Sequence, residues 1–268
     1  MPANSSALLM RTEKRDAPRA LGRLSSVGAL GALIGAGVVF AALSRVGFRP
    51  LFYVTGALAI VGGLALLPWS DRLAHSTLHE RAGRRSAPIR PQYRLYYLLE
   101  FLMGSRRHIF TTFAPFLLVK GYHVSAEVIT LLFVVNNIAG TFLFPQFGKI
   151  IARFGERRVL TVNFALVVLV FFGYAYIPSL PVLYSLFVAD SLLFGFSIAL
   201  QSYFQKIALN AEDITPNLSL GQAINHIAAV FIPAVGGLVW DKLGSQYTFL
   251  IGAAIVILSL VSVRWMRP

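Results

Sequence analysis

Ionisable residues lie deep inside long apolar stretches, among them Glu100, Arg106, Arg107 and His108 within 95–119, and Asp190 within 182–205. A charge near the centre of a bilayer costs at least ~2.5–3.5 kcal/mol, so such groups face a cavity or a partner. Arginine against a carboxylate forms charge-assisted hydrogen bonds, and an arginine without one can hold an anion. Glu100, His108 and Asp190 are the groups there that could carry a proton. Glu100 and Arg107 are seven residues apart and share a helical face with Met103, Gly104 and Thr111, whereas Arg106 points about 100° away. The two arginines therefore face different directions, one toward a cavity and one toward a neighbouring helix.

Depth narrows the pairing. Counting from Leu95, Arg106 is about 11 residues, or roughly 17 Å, into its helix. Asp190, counted from Val182 at the opposite side, reaches roughly 12 Å. Pairing of Asp190 with Arg106 or Arg107 is compatible with both depths. Three readings stay open: a buried ion-pair network, a binding site for an anionic group, and arginines that snorkel to an interface. Asn136 and Asn137 in 127–147, with Asn225 and His226 in 218–240, read as interhelical hydrogen-bonding groups, Asn137 also as a solute contact. Gln201, Tyr203 and Gln205 read as a solvated helix end.

The elements that must position these residues are spans of about 20 apolar residues, enough to cross a hydrocarbon core. The sequence has eight: 24–44, 50–69, 95–119, 127–147, 159–177, 182–205, 218–240 and 245–263. The chain is 56% hydrophobic and 13% charged, about half the charge of a soluble domain, with a mean hydropathy of +0.68. Backbone polar groups in lipid must be satisfied internally, so the spans are expected to be helices. The shorter, alternating segments of a barrel are absent. The fold class is all-α: a polytopic membrane protein.

A net charge of +13 invites a nucleic-acid reading, but its placement argues for topology. With residues 1–23 inside, the inner segments hold eighteen Lys and Arg residues and the outer loops only Arg45, Arg49, Lys120 and Lys242. That is the positive-inside bias, and it predicts cytoplasmic termini in a cell inner membrane. The bilayer is the expected partner and nucleic acid is not. There are no cysteines. The first span is too long for a signal peptide and lacks a convincing cleavage site. Asp71, His75 and His79, spaced i, i+4, with Glu80, could suggest a metal site, but nothing elsewhere completes it. No metal, cofactor or catalytic motif is expected.

The segment 70–94 is basic and polar, contains Pro88 and Pro91, and reads as a cytoplasmic linker. It separates two spans, within 1–69, from six, within 95–268. Setting Gly47 against Gly244, an offset of 197, aligns Phe52 with Phe249, Val54 with Ile251 and Ala57 with Ala254. Spans one and two thus look like counterparts of spans seven and eight. If each half holds six helices, four are missing before residue 1.

Between spans four and five runs Gly148-Lys149-Ile150-Ile151-Ala152-Arg153-Phe154-Gly155-Glu156-Arg157-Arg158. It resembles the cytoplasmic loop signature of the major facilitator superfamily, G-x-x-x-D-R-x-G-R-R/K. Gly148 allows close helix approach, Gly155 can take the left-handed conformation after a helix, and Arg153, Arg157 and Arg158 can hold helix ends or a carboxylate. The signature's Asp is Ala152 here, which removes any Asp-based latch. Gly22, Gly31 and Gly35 match the spacing G-x8-G-x3-G of the fifth helix in many antiporters of that family, with Ala36 in place of its proline and Val39 and Phe40 in place of its last glycines. Span seven has Pro233-x-x-Gly236-Gly237.

The resemblance implies helices five to twelve of a twelve-helix fold and a chain that moves a small solute by alternating access, possible proton coupling included. Arg106, Arg107, Asp190 and Asn137 are then the candidate substrate contacts, and Glu100, His108 and Asp190 the candidate proton carriers. Two readings of other classes remain: a membrane scaffold that keeps the fold without transport, and an intramembrane enzyme using Glu100, His108 or Asp190.

Overall fold

The computed structural model describes residues 2–46 and 89–266, with positions 50, 53, 56, 57, 60–62 and 64 between them. The described residues form helices and turns. Helix α1 (Pro2–Arg11) leads into the long α2 (Ala17–Val46). A 3-10 turn at Pro91–Tyr93 opens α3 (Arg94–Phe116), which a π turn extends through Leu117–Gly121. Next come α4 (Ala126–Phe154) and α5 (Glu156–Tyr176). Helices α6 (Leu180–Phe194) and α7 (Ile198–Ile207) are joined by the 3-10 turn Gly195–Ser197 and form one span. Helices α8 (Ile214–Leu243) and α9 (Ser245–Ser262) complete the chain.

Among the described residues, six helical segments are long and apolar enough to cross a membrane: 17–37, 127–154, 156–176, 180–207, 211–243 and 245–265. Exposed Phe142, Val230, Phe231 and Leu238 give these helices the apolar outer surface that lipid requires. The expected count was eight. Helix α3 packs among the six, but Glu100, Arg106 and Arg107 lower its apolarity. Span 50–69 lies mostly outside the described residues, as does most of the linker with Asp71, His75, His79 and Glu80. The described helices also run past the expected spans: α2 begins at Ala17 and α4 continues to Phe154. Both extensions carry exposed basic residues, which an apolar window excludes.

Helix α3 packs against α8 and α9, α5 against α9, and α2 along α4. Phe110 of α3 meets Phe171 and Tyr174 of α5 and Phe187 of α6. Phe113 stacks on Trp240 of α8, which also meets Phe249 of α9. Such rings add about 0.5–1.5 kcal/mol per pair beyond their burial. Small residues set the crossings. A side chain at Gly104 would strike Asn225, and one at Gly221 would strike Tyr96 and Glu100, so these glycines bring α3 and α8 together. Gly22 and Gly148 do the same for α2 and α4. Gly31, nine residues and therefore about 180° round the helix from Gly22, and Gly35 have open space among the described residues where a side chain would be.

Gly155 has φ 83° and Gly244 φ 97°, each between two consecutive helices. Their ψ values of 154° and 170° lie far from the left-handed helical region expected for Gly155. The positive φ alone is what requires glycine there.

Candidate functional site

Arg106 on α3 and Asp190 on α6 meet at the centre of the site. Arg106 Nη1 donates to Asp190 Oδ1 at 2.6 Å, and the two side chains are 1% and 4% exposed. The expected choice between two arginines resolves to Arg106: the 100° turn between the neighbours carries only one of them onto the Asp190 carboxylate, while Arg107 reaches α6 at Phe194. Only one of the three guanidinium nitrogens is used: Nε and Nη2 of Arg106 are buried and have no partner among the described residues.

Arg107 stays half-buried, with its guanidinium carbon 3.6 Å from the centre of the Phe194 ring. Arg106 lies 5.3 Å from that same ring. Phe194 follows Asp190 by one turn of α6, so a carboxylate and an aromatic face are stacked beneath the two cations. Sequence reasoning missed Phe194, although the Asp-x-x-x-Phe spacing was readable.

The remaining candidates divide. His108 Nε2 lies 3.2 Å from Asn225 Oδ1 on α8, and so bridges helices at a different face from the ion pair. His226 pairs within its own helix, 3.1 Å from Gln222. Glu100 lies beside Tyr96 and Gly221 and has no ion pair among the described residues. Asn137 donates to the carbonyl of Phe133 in its own helix at 2.9 Å. Its neighbour Asn136 is buried with both amide atoms unpartnered among the described residues.

A second polar cluster sits where α5 begins and α7 ends. Glu156 is buried and accepts from Ser202 Oγ and Lys206 Nζ, each at 2.8 Å. Gln205 donates to the carbonyls of Leu9 at 2.6 Å and Thr12 at 2.9 Å, and Lys14 donates to the carbonyl of Lys206 at 3.1 Å. Gln205 and Tyr203 are buried, contrary to the expected solvated helix end, and the N-terminal segment covers Gln205. Of the loop residues, Gly148 contacts the backbone of Pro18 and Arg19, while Arg153, Arg157 and Arg158 are exposed. Glu156, unremarked in the sequence, is the loop residue that makes the buried bond. Nearby, Tyr93 Oη donates to Asp213 Oδ2 at 2.8 Å, and burial raises this phenol above its ordinary value.

Two ion pairs on one broken span, a glycine crossing between α2 and α4, and loop glycines with positive φ form the frame to compare with known proteins. The sequence model of the Major Facilitator Superfamily matches residues 1–211. The chain belongs to the Major Facilitator Superfamily. It is thus a multi-pass membrane protein of a transporter superfamily, as the loop resemblance implied. Its relatives in that superfamily include an uncharacterised MFS-type transporter of Methanocaldococcus jannaschii, 25% identical over 277 residues, covering 93% of this chain and 67% of the relative. Multidrug resistance protein 1 of Bacillus subtilis strain 168 is 25% identical over 283 residues, covering all of this chain and 70% of that protein. The crystal structure of the human organic anion transporter MFSD10 superposes with a TM-score of 0.70 at 15% identity, over 98% of this chain and 67% of that one. The chain thus spans about two thirds of the length of the superfamily members it matches.

Proposed function

We propose that this superfamily member works as the larger part of a secondary active transporter that moves a small anionic solute by alternating access, coupled to protons. The observation that carries the reading is the buried Arg106–Asp190 pair, with two guanidinium donors uncommitted among the described residues and Arg107 beside it. An anionic group placed against Arg107 competes with Asp190 for Arg106. Protonating Asp190 would free Arg106 for the anion, which links one proton to one solute. Glu100 and His108 are further proton carriers in this reading, and Asn137 keeps its carbonyl oxygen for the solute. The Bacillus relative's name, multidrug resistance protein, and the human neighbour's, organic anion transporter, agree with a small-molecule cargo.

The same reading gives eight spans, with α3 and 50–69 added to the six apolar ones, in three parts: 1–69, a cytoplasmic linker 70–94, and a six-helix bundle 95–268. The remaining third of the relatives' length would supply the facing wall. Both termini lie in the cytoplasm of a cell with this protein in its inner membrane. An impermeant thiol reagent on intact cells should label a cysteine placed at Ser245 and spare one at Ser76; the opposite pattern means the topology is inverted.

Transport is tested in liposomes containing the chain, co-expressed with the segment matching the relatives' remaining third. A pH gradient should drive uptake of anionic dyes, and Asp190→Asn should abolish the pH dependence. Lack of protein-dependent flux for anionic, neutral and cationic solutes alike would leave the alternative, a scaffold that keeps the fold without transport.

A further inference from the structure

A cleft of about 700 Å³ opens between the first turns of α2 and the last turns of α4, lined by Arg15, Arg19, Arg23, Lys149, Ala152 and Arg153. With Pro145 these make up its lining; five of the seven residues are cationic, and all five are exposed to solvent. One counter-charge adjoins them: Asp16 Oδ1 accepts from Arg19 Nη1 at 2.9 Å. The position where the superfamily signature has aspartate is Ala152, so the floor adds no negative charge.

The fold forces these charges together. Side chains at Gly22 or Gly148 would collide with the facing backbone, so the two helices touch at this end and their basic residues flank the contact. Like charges held this close repel, a cost that an anion between them removes. The helices whose ends form the cleft are both long and apolar enough to cross a membrane. The cleft therefore lies at the level of a leaflet's headgroups, where basic pockets between spanning helices hold phosphate-bearing lipids.

We propose that this cleft binds the phosphate group of an anionic molecule, independently of the Arg106–Asp190 site. A phospholipid headgroup and a soluble phosphate compound share that chemistry. The arginines would grip the phosphate oxygens in pairs while Lys149 acts as a point charge. The volume accommodates a phosphate with its glycerol and a second headgroup substituent, and Ala152 leaves room for it.

The test uses the full chain in detergent micelles, titrated with phosphatidylglycerol, with phosphatidylcholine, and with inorganic phosphate, reading thermal stabilisation and lipid retained in native mass spectrometry. Phosphatidylglycerol should bind more tightly than phosphatidylcholine, and Arg23→Gln, Lys149→Gln and Arg153→Gln should each weaken it about fivefold. Ala152→Asp, which adds a carboxylate without removing any base, should weaken it comparably. Arg157→Gln and Arg158→Gln, outside the cleft, should leave it unchanged. Stabilisation by inorganic phosphate that disappears in the same cleft variants, without selective lipid retention, assigns the cleft to a soluble phosphate compound. Equal affinity of wild type and cleft variants for both phosphate-bearing probes overturns the proposal.

Discussion

The span Leu180–Ile207 carries an ion pair at each of two levels. Asp190 meets Arg106 at 2.6 Å with both side chains almost fully enclosed; Lys206 meets Glu156 at 2.8 Å with the lysine a third exposed. The bonds are similar in length and differ in surroundings. The enclosed pair has almost no exposed surface, so each charge depends on the other, and removing one leaves the other stranded. The outer pair has water within reach of its cation and a second donor, Ser202, on its anion. Burial, more than geometry, decides how much a pair matters, and it also decides which pair can respond when a solute or proton arrives.

Breaking the enclosed pair should have the largest effect. Asp190→Asn is expected to cost ~3–5 kcal/mol of stability, because Arg106 is left buried and uncompensated. Arg106→Gln added to it should recover part of that loss. Arg107→Gln added instead should recover less, since Arg107 stacks on Phe194 and feels Asp190 only through charge, without a hydrogen bond to it. Denaturant unfolding in micelles would measure these three variants together with Arg106→Gln and Arg107→Gln alone, and stronger coupling to Arg107 than to Arg106 would reverse the assignment.

Forcing the end of α2 away from α4 is expected to come next. Gly148→Val places a branched side chain against the backbone of Pro18 and Arg19. Overpacking of this kind typically costs ~1–3 kcal/mol. The same substitution at Gly31, where space is open, should cost no more than a few tenths of a kcal/mol in the same assay.

The outer pair should be milder. Glu156→Gln keeps an acceptor for Ser202 and removes the charge opposite Lys206, with an expected loss of about 1 kcal/mol. A loss as large as that of Asp190→Asn would show that the end of the span is as dry as its middle. The smallest effect is expected for Arg158→Gln, which is exposed and should stay within ±0.5 kcal/mol.

Much of the frame was legible because lipid imposes a simple rule: an apolar run of about 20 residues becomes a helix. Six of those runs are apolar helices here, and the linker-side start of α3 falls within one residue of its expected position. Depth counting also brought Asp190 to the level of Arg106. It could not choose between adjacent arginines, since residues side by side differ by 1.5 Å in depth and by 100° in direction. What stayed hidden depends on segments far apart in the chain. Gln205 reads as a helix end until Leu9 and Thr12 cover it. Glu156 reads as one acid in a basic loop until Ser202 and Lys206 reach it. Gly31 and Gly35 matched a family spacing, yet among the described residues nothing lies within 4 Å of a Cβ added there, because a spacing fixes where residues sit on a helix and not what lies opposite.

The 3-10 turn Gly195–Ser197 lies between the two ion pairs, with Asp190 before it and Lys206 after it. A 3-10 helix rises about 2.0 Å and turns about 120° per residue, against 1.5 Å and 100° in an α-helix. Converting those three residues to α would shorten the span by about 1.5 Å and unwind it by about 60°. The joint is in effect a screw thread cut between two clamps. Lys206 cannot be drawn toward Asp190 without also being rotated, so axial travel and twist in this span arrive as one motion.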